Sequence, residues 1–499
     1  MSHDLRWAEA LRPALEGSAR VVLRVGDQRV TGYEVWRSGV GWAEALRADG
    51  VDEGSLVVAD DLSPTTLLSL WLGAGLCGAA LAPLHQRWPP PRKRAVIGFL
   101  RPQVVVACEP SASSLGESWA GVRAEQSDEA ALRRGLGASS RRWAGDGETA
   151  RRLAAPRPLA LCLPTSGSTG PPKYVALSWT ALHAAVEGIE RHLGVSGGGW
   201  WYTPLPLYHI GGLVTCLRAF LGGPAAWIAP FSPAGGALAL ADEETIGGSL
   251  VPTMLVRLLE AGASPGPGLR RVLVGGGPFP RRLRERALGW PLCPTYGMTE
   301  ACSQIATALP EHEPHPSASG APLPGVEVRV VDVDDGGVGE IALRAATLFE
   351  GYLSLTDALD RSAFRDGWFY TGDLGRWRGA ALEVICRRVD RIVTGGENVS
   401  PAEVEGVLEA HPDISEASVA GVDDPVWGQR VAALVVLRPG ALWSPDAWAE
   451  AVRAEIGGHA VPRVWRPCEA LPRTPTGKVE RNQVREALGN SSAGGPPRG

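Results

Sequence analysis

Nine residues from Thr165 to Lys173, TSGSTGPPK, bring hydroxyls, glycines and a lysine together in one short stretch. Glycines let backbone N–H groups turn toward an anion, hydroxyls add rotatable donors, and an ammonium supplies a compact positive charge, so the mixture suits a polyphosphate. It is not a Walker loop, which needs GxxxxGK followed by Ser or Thr. A run of small polar residues serves equally well as a linker, and the lysine is what separates the two readings. Of 49 lysines and arginines only Lys93, Lys173 and Lys478 are lysine. In so arginine-rich a chain, a retained lysine points to a place where a planar guanidinium will not serve. Lys478 also closes a small-residue loop, RTPTGK.

Other chemistry-bearing residues follow apolar runs. Gly275, Gly276 and Gly277 end RVLVGGG, Thr299 and Glu300 end PTYGMTE, and Asp373 lies in YTGDLG. Taken singly, each has a plainer occupation as a turn, a helix cap or an ion pair. His209 ends WYTPLPLYH, where a half-buried imidazole at a strand end is the ordinary expectation.

The elements that must position these residues alternate along the chain. Ser55 to Ala59, Pro64 to Gly75 and Ala79 to Leu84 read as strand, helix and strand with short joints, the pattern of a parallel sheet, and Leu100 to Cys108 repeats it. Thr31 and Glu34 have capping-box spacing at the start of a helix. A helix is expected from Trp179 to about His192, and strands at Leu159 to Leu163, Trp201 to His209, Gly247 to Val251 and from Arg271. In open parallel sheets, ligands sit beyond the carboxyl ends of strands, which makes the loops near Lys173, Gly277 and Glu300 candidates for one pocket. Val326 to Leu343 alternates around an Asp-Asp-Gly-Gly turn as a hairpin does. From Gly379 the pattern becomes a small α+β unit beginning with a strand at Leu382 to Cys386. Residues 109–157 read as a variable surface region, and the stretch after Leu488 as a disordered tail.

Size and composition bound the answer. A chain of 499 residues exceeds one ordinary core, and 44% hydrophobic with 21% charged residues is globular composition. A net charge of -5 makes no general electrostatic case for nucleic acid or an acidic membrane, so any anion must be bound locally. Eight cysteines are scattered without a CxxC pair, the first residues lack the apolar core of a secretory signal, and no long uncharged apolar window occurs. These features lead to the expectation of a cytoplasmic protein with no integral membrane segment.

Six collinear stretches, LPTSGSTGPPK, VGGGP, YGMTE, YTGDLG, RRVDRIVTGGENVSPAEVE and PTGK, give the chain a resemblance to the adenylate-forming acyl-CoA ligase family. The resemblance implies an α/β fold: a large N-terminal domain (1–377) of parallel and mixed sheets packed with helices plus a β-barrel-like subdomain. A small mobile α+β C-terminal domain (378–499) would carry Lys478, with a hinge near Arg378. It also implies two half-reactions. A carboxylate attacks the α-phosphate of MgATP to give an acyl-adenylate and pyrophosphate, and the thiol of CoA then displaces AMP.

The implied roles fall on matching positions. Lys478, Thr299, Glu300 and His209 would be catalytic, with Lys478 bridging carboxylate and α-phosphate and Glu300 ligating Mg²⁺. Thr165, Ser166, Gly167, Ser168, Thr169, Gly170 and Lys173 would hold the β- and γ-phosphates. Gly275, Gly276, Gly277 and Tyr296 would flank adenine, Asp373 and Arg387 would take the ribose, and Gly395 and Gly396 would meet CoA. Within the family, YGMTEACSQIAT, PLYHIGGL, SLVPTM and GGENV are closest to the branch that activates o-succinylbenzoate for menaquinone biosynthesis. For that acid, with its second carboxylate, ketone and ring, His209, Arg218, Ser303 and Gln304 are the expected pocket residues. Rival readings are another aryl or acyl acid:CoA ligase, an adenylation enzyme loading a carrier protein, and a silent nucleotide-binding regulator. A homodimer is also compatible with the resemblance. Tyr174, Cys386, Val389, Ser400 and Arg378 depart from the usual pattern, and Tyr174 would narrow the phosphate site.

Overall fold

The computed structural model describes residues 6–108, 123–125, 140–144, 153, 155–165, 173–195, 198–277, 279, 281–312, 318–354, 358–473 and 479–489. Two nine-stranded mixed sheets dominate them. The first runs Ala321–Pro322, Ser303–Thr307, Leu292–Met298, Arg271–Val274, Thr245–Leu250, Trp200–Thr203, Ala225–Ile228, Val21–Val25, Gln28–Thr31. Its six strands from Leu292–Met298 through Val21–Val25 are parallel. The second runs Leu359–Asp360, Gly351–Leu353, Tyr174–Ser178, Leu159–Pro164, Ala80–Pro83, Leu56–Asp60, Val104–Cys108, Ser140–Ala144, Arg123–Glu125, with the four from Leu159–Pro164 through Val104–Cys108 parallel.

The parallel strands are buried along their length, as LVVAD and VVVAC imply, because helices cover both faces of such sheets. One apolar cluster draws on both sheets, through Val57, Leu81 and Leu161 on one side and Leu23, Trp201 and Ile305 on the other. The helices Gly32–Ala48, Pro64–Leu76, Trp179–Leu193 and Ile210–Phe220 contribute to the same cluster. Trp71 stacks on Trp179 at 5.1 Å and donates through Nε1 to the Ala160 carbonyl at 3.1 Å. Two of these helices meet at glycines: a Cβ at Gly73 would stand 2.5 Å from the Trp42 Cβ, and one at Gly39 would stand 2.6 Å from Leu72. The capping box at Thr31 forms, with the Glu34 N–H donating to Thr31 Oγ1 and the Thr31 N–H to the Glu34 carboxylate.

A third, antiparallel sheet contains Val326–Val331, Gly339–Ala345, Trp368–Arg378, Phe364–Arg365 and Ala381–Arg387. A fourth contains Glu397–Val399, Ile392–Thr394, Gly428–Leu437, Ile414–Asp424 and Val464–Pro467. Its alternation is visible in the packing. Val419, Val431, Ala433 and Val435 face the helices Pro401–Ala410 and Pro445–Glu455, whereas Ala420, Ala432 and Leu434 face Arg481–Gly489. Arg388–Glu340 (2.8 Å) and Arg391–Asp334 (2.6 Å) tie the segment entering this sheet to the hairpin of the third.

The mixed α/β fold with a large N-terminal part and a C-terminal sheet is the one the sequence implies, with three differences of detail. The strand Ala381–Arg387 pairs with Trp368–Arg378 and completes the third sheet, so the C-terminal sheet begins at Ile392 and not at Leu382. The expected strand from Trp201 to His209 stops at Thr203, since Pro204 and Pro206 cannot donate to a ladder. Within 109–157, two short strands, Arg123–Glu125 and Ser140–Ala144, extend the edge of the second sheet. The tail after Gly489 lies outside the described residues.

Candidate active site

The buried strand Leu159–Pro164 delivers Thr165, and Tyr174–Ser178 leads away from Lys173. Thr165 closes the base of the loop, its N–H donating to the Lys173 carbonyl at 2.8 Å and its hydroxyl to the same oxygen at 3.3 Å. Ser166, Gly167, Ser168, Thr169 and Gly170 lie outside the described residues. The Lys173 ammonium rests 4.9 Å from the centre of the Tyr352 ring, and the Tyr352 hydroxyl donates to Glu300 Oε1 at 2.9 Å. Glu300 stands in the single turn Thr299–Ala301 that follows the strand Leu292–Met298. Burial, and then the charge of Glu300, push the Tyr352 phenol well above its ordinary range, which keeps it a donor.

Next to this group, Tyr296 donates to Asp373 Oδ2 at 2.7 Å, and Arg387 meets Asp373 Oδ1 at 2.8 Å. Asp373 and Arg387 are cross-strand neighbours in the third sheet, which is what sets their distance. Burial raises the Tyr296 phenol far above its usual value, and Asp373 adds to that. Burial alone would lower the Arg387 guanidinium, yet Asp373, then Glu300 and Tyr296, hold it above its ordinary value. Arg387 feels the charge of both Asp373 and Glu300, which joins the two clusters into one charged site with residues from the first, second and third sheets.

Gly275 leaves the strand Arg271–Val274 and packs so closely on Thr295 that a Cβ would lie 2.6 Å from its methyl group. Gly276 is left-handed (φ +81°), and a Cβ at Gly277 would meet open space. This turn therefore borders Thr295 and Tyr296 from the neighbouring strand. Gly297 is constrained more severely, since a Cβ there would fall 1.8 Å from the Ser303 carbonyl oxygen. The return strand Ser303–Thr307 pairs Met298 with Ser303 and Gly297 with Gln304. Gln304 is buried, with its Oε1 accepting from Thr307 at 2.8 Å.

His209 is the residue before the helix Ile210–Phe220, and its Nε2 is buried without a protein partner. Burial, helped by His85, lowers its pKa to about 4, so the imidazole is neutral at pH 7. His85 is lowered to about 4 as well, again mainly by burial. It accepts the Arg87 N–H at Nδ1 (3.1 Å), which places its proton on the buried, unpartnered Nε2. Tyr208 packs against both histidine rings, at 4.2 Å from His85 and 4.7 Å from His209. The sequence reading did not single out His85 or Tyr352. Position alone was the available signal for His85, which follows the strand Ala80–Pro83 at a parallel-sheet carboxyl end.

Arg218 is not brought to this site. It occupies the last turn of the helix that His209 begins, and nine residues at helical rise separate them by about 13 Å. A helix after a parallel strand runs back toward that strand's start, so its two ends lie toward opposite ends of the strands. There Arg218 is fully buried, paired with Glu190 Oε1 at 2.5 Å and laid on the Trp201 ring at 4.1 Å. The Tyr174 ring is buried against Phe99 at 5.8 Å. Ser400 caps the helix Pro401–Ala410.

In the C-terminal sheet, Gly395 and Gly396 form the left-handed turn between Ile392–Thr394 and Glu397–Val399, and the Trp427 ring leaves no room for a Cβ at Gly395. Lys478 lies outside the described residues, but both ends of its loop are fixed. Arg473 bridges to Val479 and pairs with Glu416 at 2.9 Å, while Arg481 grips Glu405 with two bonds of 2.5 and 2.8 Å. No group of three or more His, Cys, Asp and Glu among the described residues gathers as a metal cage. A single carboxylate with one oxygen held by a phenol fits a magnesium ion that takes its remaining ligands from phosphate and water.

Comparison with known proteins agrees with this arrangement. The AMP-binding enzyme model matches residues 12–353, and the AMP-binding enzyme C-terminal domain model matches 403–478. A 2-succinylbenzoate–CoA ligase of Bacillus licheniformis is 35% identical over 330 residues, 64% of this chain and 68% of that protein. The o-succinylbenzoate CoA synthetase of Bacillus subtilis in complex with the acyl-adenylate intermediate OSB-AMP superimposes with a TM-score of 0.80 at 27% identity, covering 96% of this chain and 97% of that one. The same enzyme in complex with ATP and magnesium ion gives 0.77 at 26% identity, covering 96% and 98%. With a parallel-sheet pocket of this composition and a model match over most of its length, the chain belongs to the AMP-binding enzyme family.

Proposed function

We propose that the protein is an ATP-dependent, AMP-forming acid–thiol ligase that converts 2-succinylbenzoate and CoA to 2-succinylbenzoyl-CoA, a step of menaquinone biosynthesis. The observation that carries the reading is the joined site, in which Lys173, Tyr352 and Glu300 meet Tyr296, Asp373 and Arg387. In it, Asp373 accepts from the ribose hydroxyls with Arg387 as its counter-charge. The loop from Thr165 to Lys173 holds the β- and γ-phosphates, and Glu300, beside Thr299, supplies the metal ligand. Magnesium, when bound, spreads the negative charge that otherwise repels an attacking carboxylate. Gly275, Gly276, Gly277 and Tyr296 border the adenine.

Neutral His209 offers the acid one N–H and one lone pair in place of a charge, with Ser303 and Gln304 on the adjoining return strand. Lys478 bridges the attacking carboxylate and the α-phosphate, where charge develops in the transition state. CoA enters past Gly395 and Gly396 once the C-terminal unit has turned. The pairing of the strand Ala381–Arg387 with the third sheet supports a turning point within 388–391. No helix of the described residues is long and apolar enough to cross a membrane, and all eight cysteines are free, which supports placing the enzyme in a reducing cytoplasm. A homodimer belongs to this proposal as well.

A panel of carboxylic acids supplied with ATP and CoA, read as AMP and thioester formed, tests it. The expected result is thioester from 2-succinylbenzoate in preference to benzoate, malonate or fatty acids. Preference for another acid, or acyl transfer only to a carrier protein, would overturn the substrate assignment.

A further inference from the structure

We infer that Tyr352 is a positioning residue, holding the metal-binding carboxylate with its hydroxyl and the phosphate-loop lysine with its ring face. The inference rests on the nucleotide reading of the site. It goes beyond that reading by assigning the link between the two groups to one side chain.

The backbone supports the link from both directions. Tyr352 lies in the strand Gly351–Leu353, whose register sets Tyr352 against Val175, two residues beyond the loop lysine. Three residues earlier, the Phe349 N–H donates to the Glu300 carbonyl at 2.9 Å, and the Glu350 N–H donates to the Ala176 carbonyl at 2.9 Å. One short segment is thus hydrogen-bonded to the strand after the phosphate loop and to the turn that carries Glu300. Phe349 meets the Tyr352 ring edge-on at 4.8 Å and fixes its plane.

The chemistry of the two contacts is complementary. The phenol donates to Oε1 of Glu300 and leaves Oε2 available to a cation. Its π-face holds the Lys173 ammonium without neutralising it, as a carboxylate partner would, so the positive charge stays available to phosphate. Tyr352 therefore presents an anion and a cation to opposite needs of MgATP.

The test is titration calorimetry of the full chain with α,β-methylene-ATP, at saturating Mg²⁺ and again with EDTA. Tyr352→Phe keeps the ring and removes only the hydroxyl. It should lose about three- to tenfold of the Mg²⁺-dependent gain in affinity, the range of a typical net hydrogen bond, with EDTA affinity unchanged. Tyr352→Leu removes the ring too and should weaken binding several-fold in EDTA. In a Glu300→Gln background, Tyr352→Phe should have no further effect on the Mg²⁺ dependence. Equal weakening by Tyr352→Phe with and without Mg²⁺, no weakening at all, or full additivity with Glu300→Gln would overturn the inference. A wild-type protein that binds no nucleotide under either condition would instead overturn the ligase reading on which it stands.

Discussion

His85 and His209 show how burial at a single residue becomes a property of the whole protein. Both imidazoles are held near a pKa of about 4, below the ordinary value of 6.5. Between these values the unfolded chain takes up protons that the folded one refuses, so stability is full above pH 6.5 and declines as pH falls toward 4. Each group contributes a slope on the order of 1 kcal/mol per pH unit in that window. Urea unfolding between pH 7 and 5 should therefore show a shallower decline for His85→Gln than for wild type. Parallel curves would show that His85 takes up a proton in the folded state as easily as in the unfolded one. His209 was legible in the sequence, but neither His85 nor Tyr352 was. The partners of Tyr352, Glu300 and Lys173, are 52 and 179 residues away, and a three-residue strand has too little length for a period to show.

At the scale of elements, the polarity of a helix decided what residue type could not. Arginine at position 218 has the right charge to receive a second carboxylate, yet it stands in the last turn of a helix whose first turn faces the site. Its buried guanidinium pairs with Glu190 and rests on Trp201, which is a structural occupation. Arg218→Met should therefore lower unfolding free energy by roughly 3–5 kcal/mol, the usual loss on breaking a buried pair, while leaving KM for the acid within twofold. A large rise in KM without loss of stability would return Arg218 to the pocket. The loops at Gly275 and Glu300 were legible for the converse reason: an apolar run emptying into glycine or hydroxyl residues marks the carboxyl end of a buried strand. The strand Ala381–Arg387 was read as a strand but assigned to the wrong sheet, because nothing local states which partner a strand will take. Ser140–Ala144, SRRWA, was missed since a five-residue run with two adjacent arginines carries almost no alternation.

For the whole molecule, the account requires two separate charge problems solved by different parts of the chain. In our proposal the N-terminal sheets hold the nucleotide, and the C-terminal unit brings Lys478, whose loop is flanked by Arg473 and Arg481. Collinear loop motifs are what suggest this division from sequence, and our proposal moves the joint from near Arg378 to 388–391. The most direct measurement separates the half-reactions in Lys478→Ala. Pyrophosphate release from ATP and 2-succinylbenzoate should fall by at least about a hundredfold, the scale of removing a transition-state charge partner. Conversion of supplied acyl-adenylate and CoA to thioester should persist near the wild-type rate. Equal loss of both half-reactions, or adenylate formation that survives the substitution, would contradict the account.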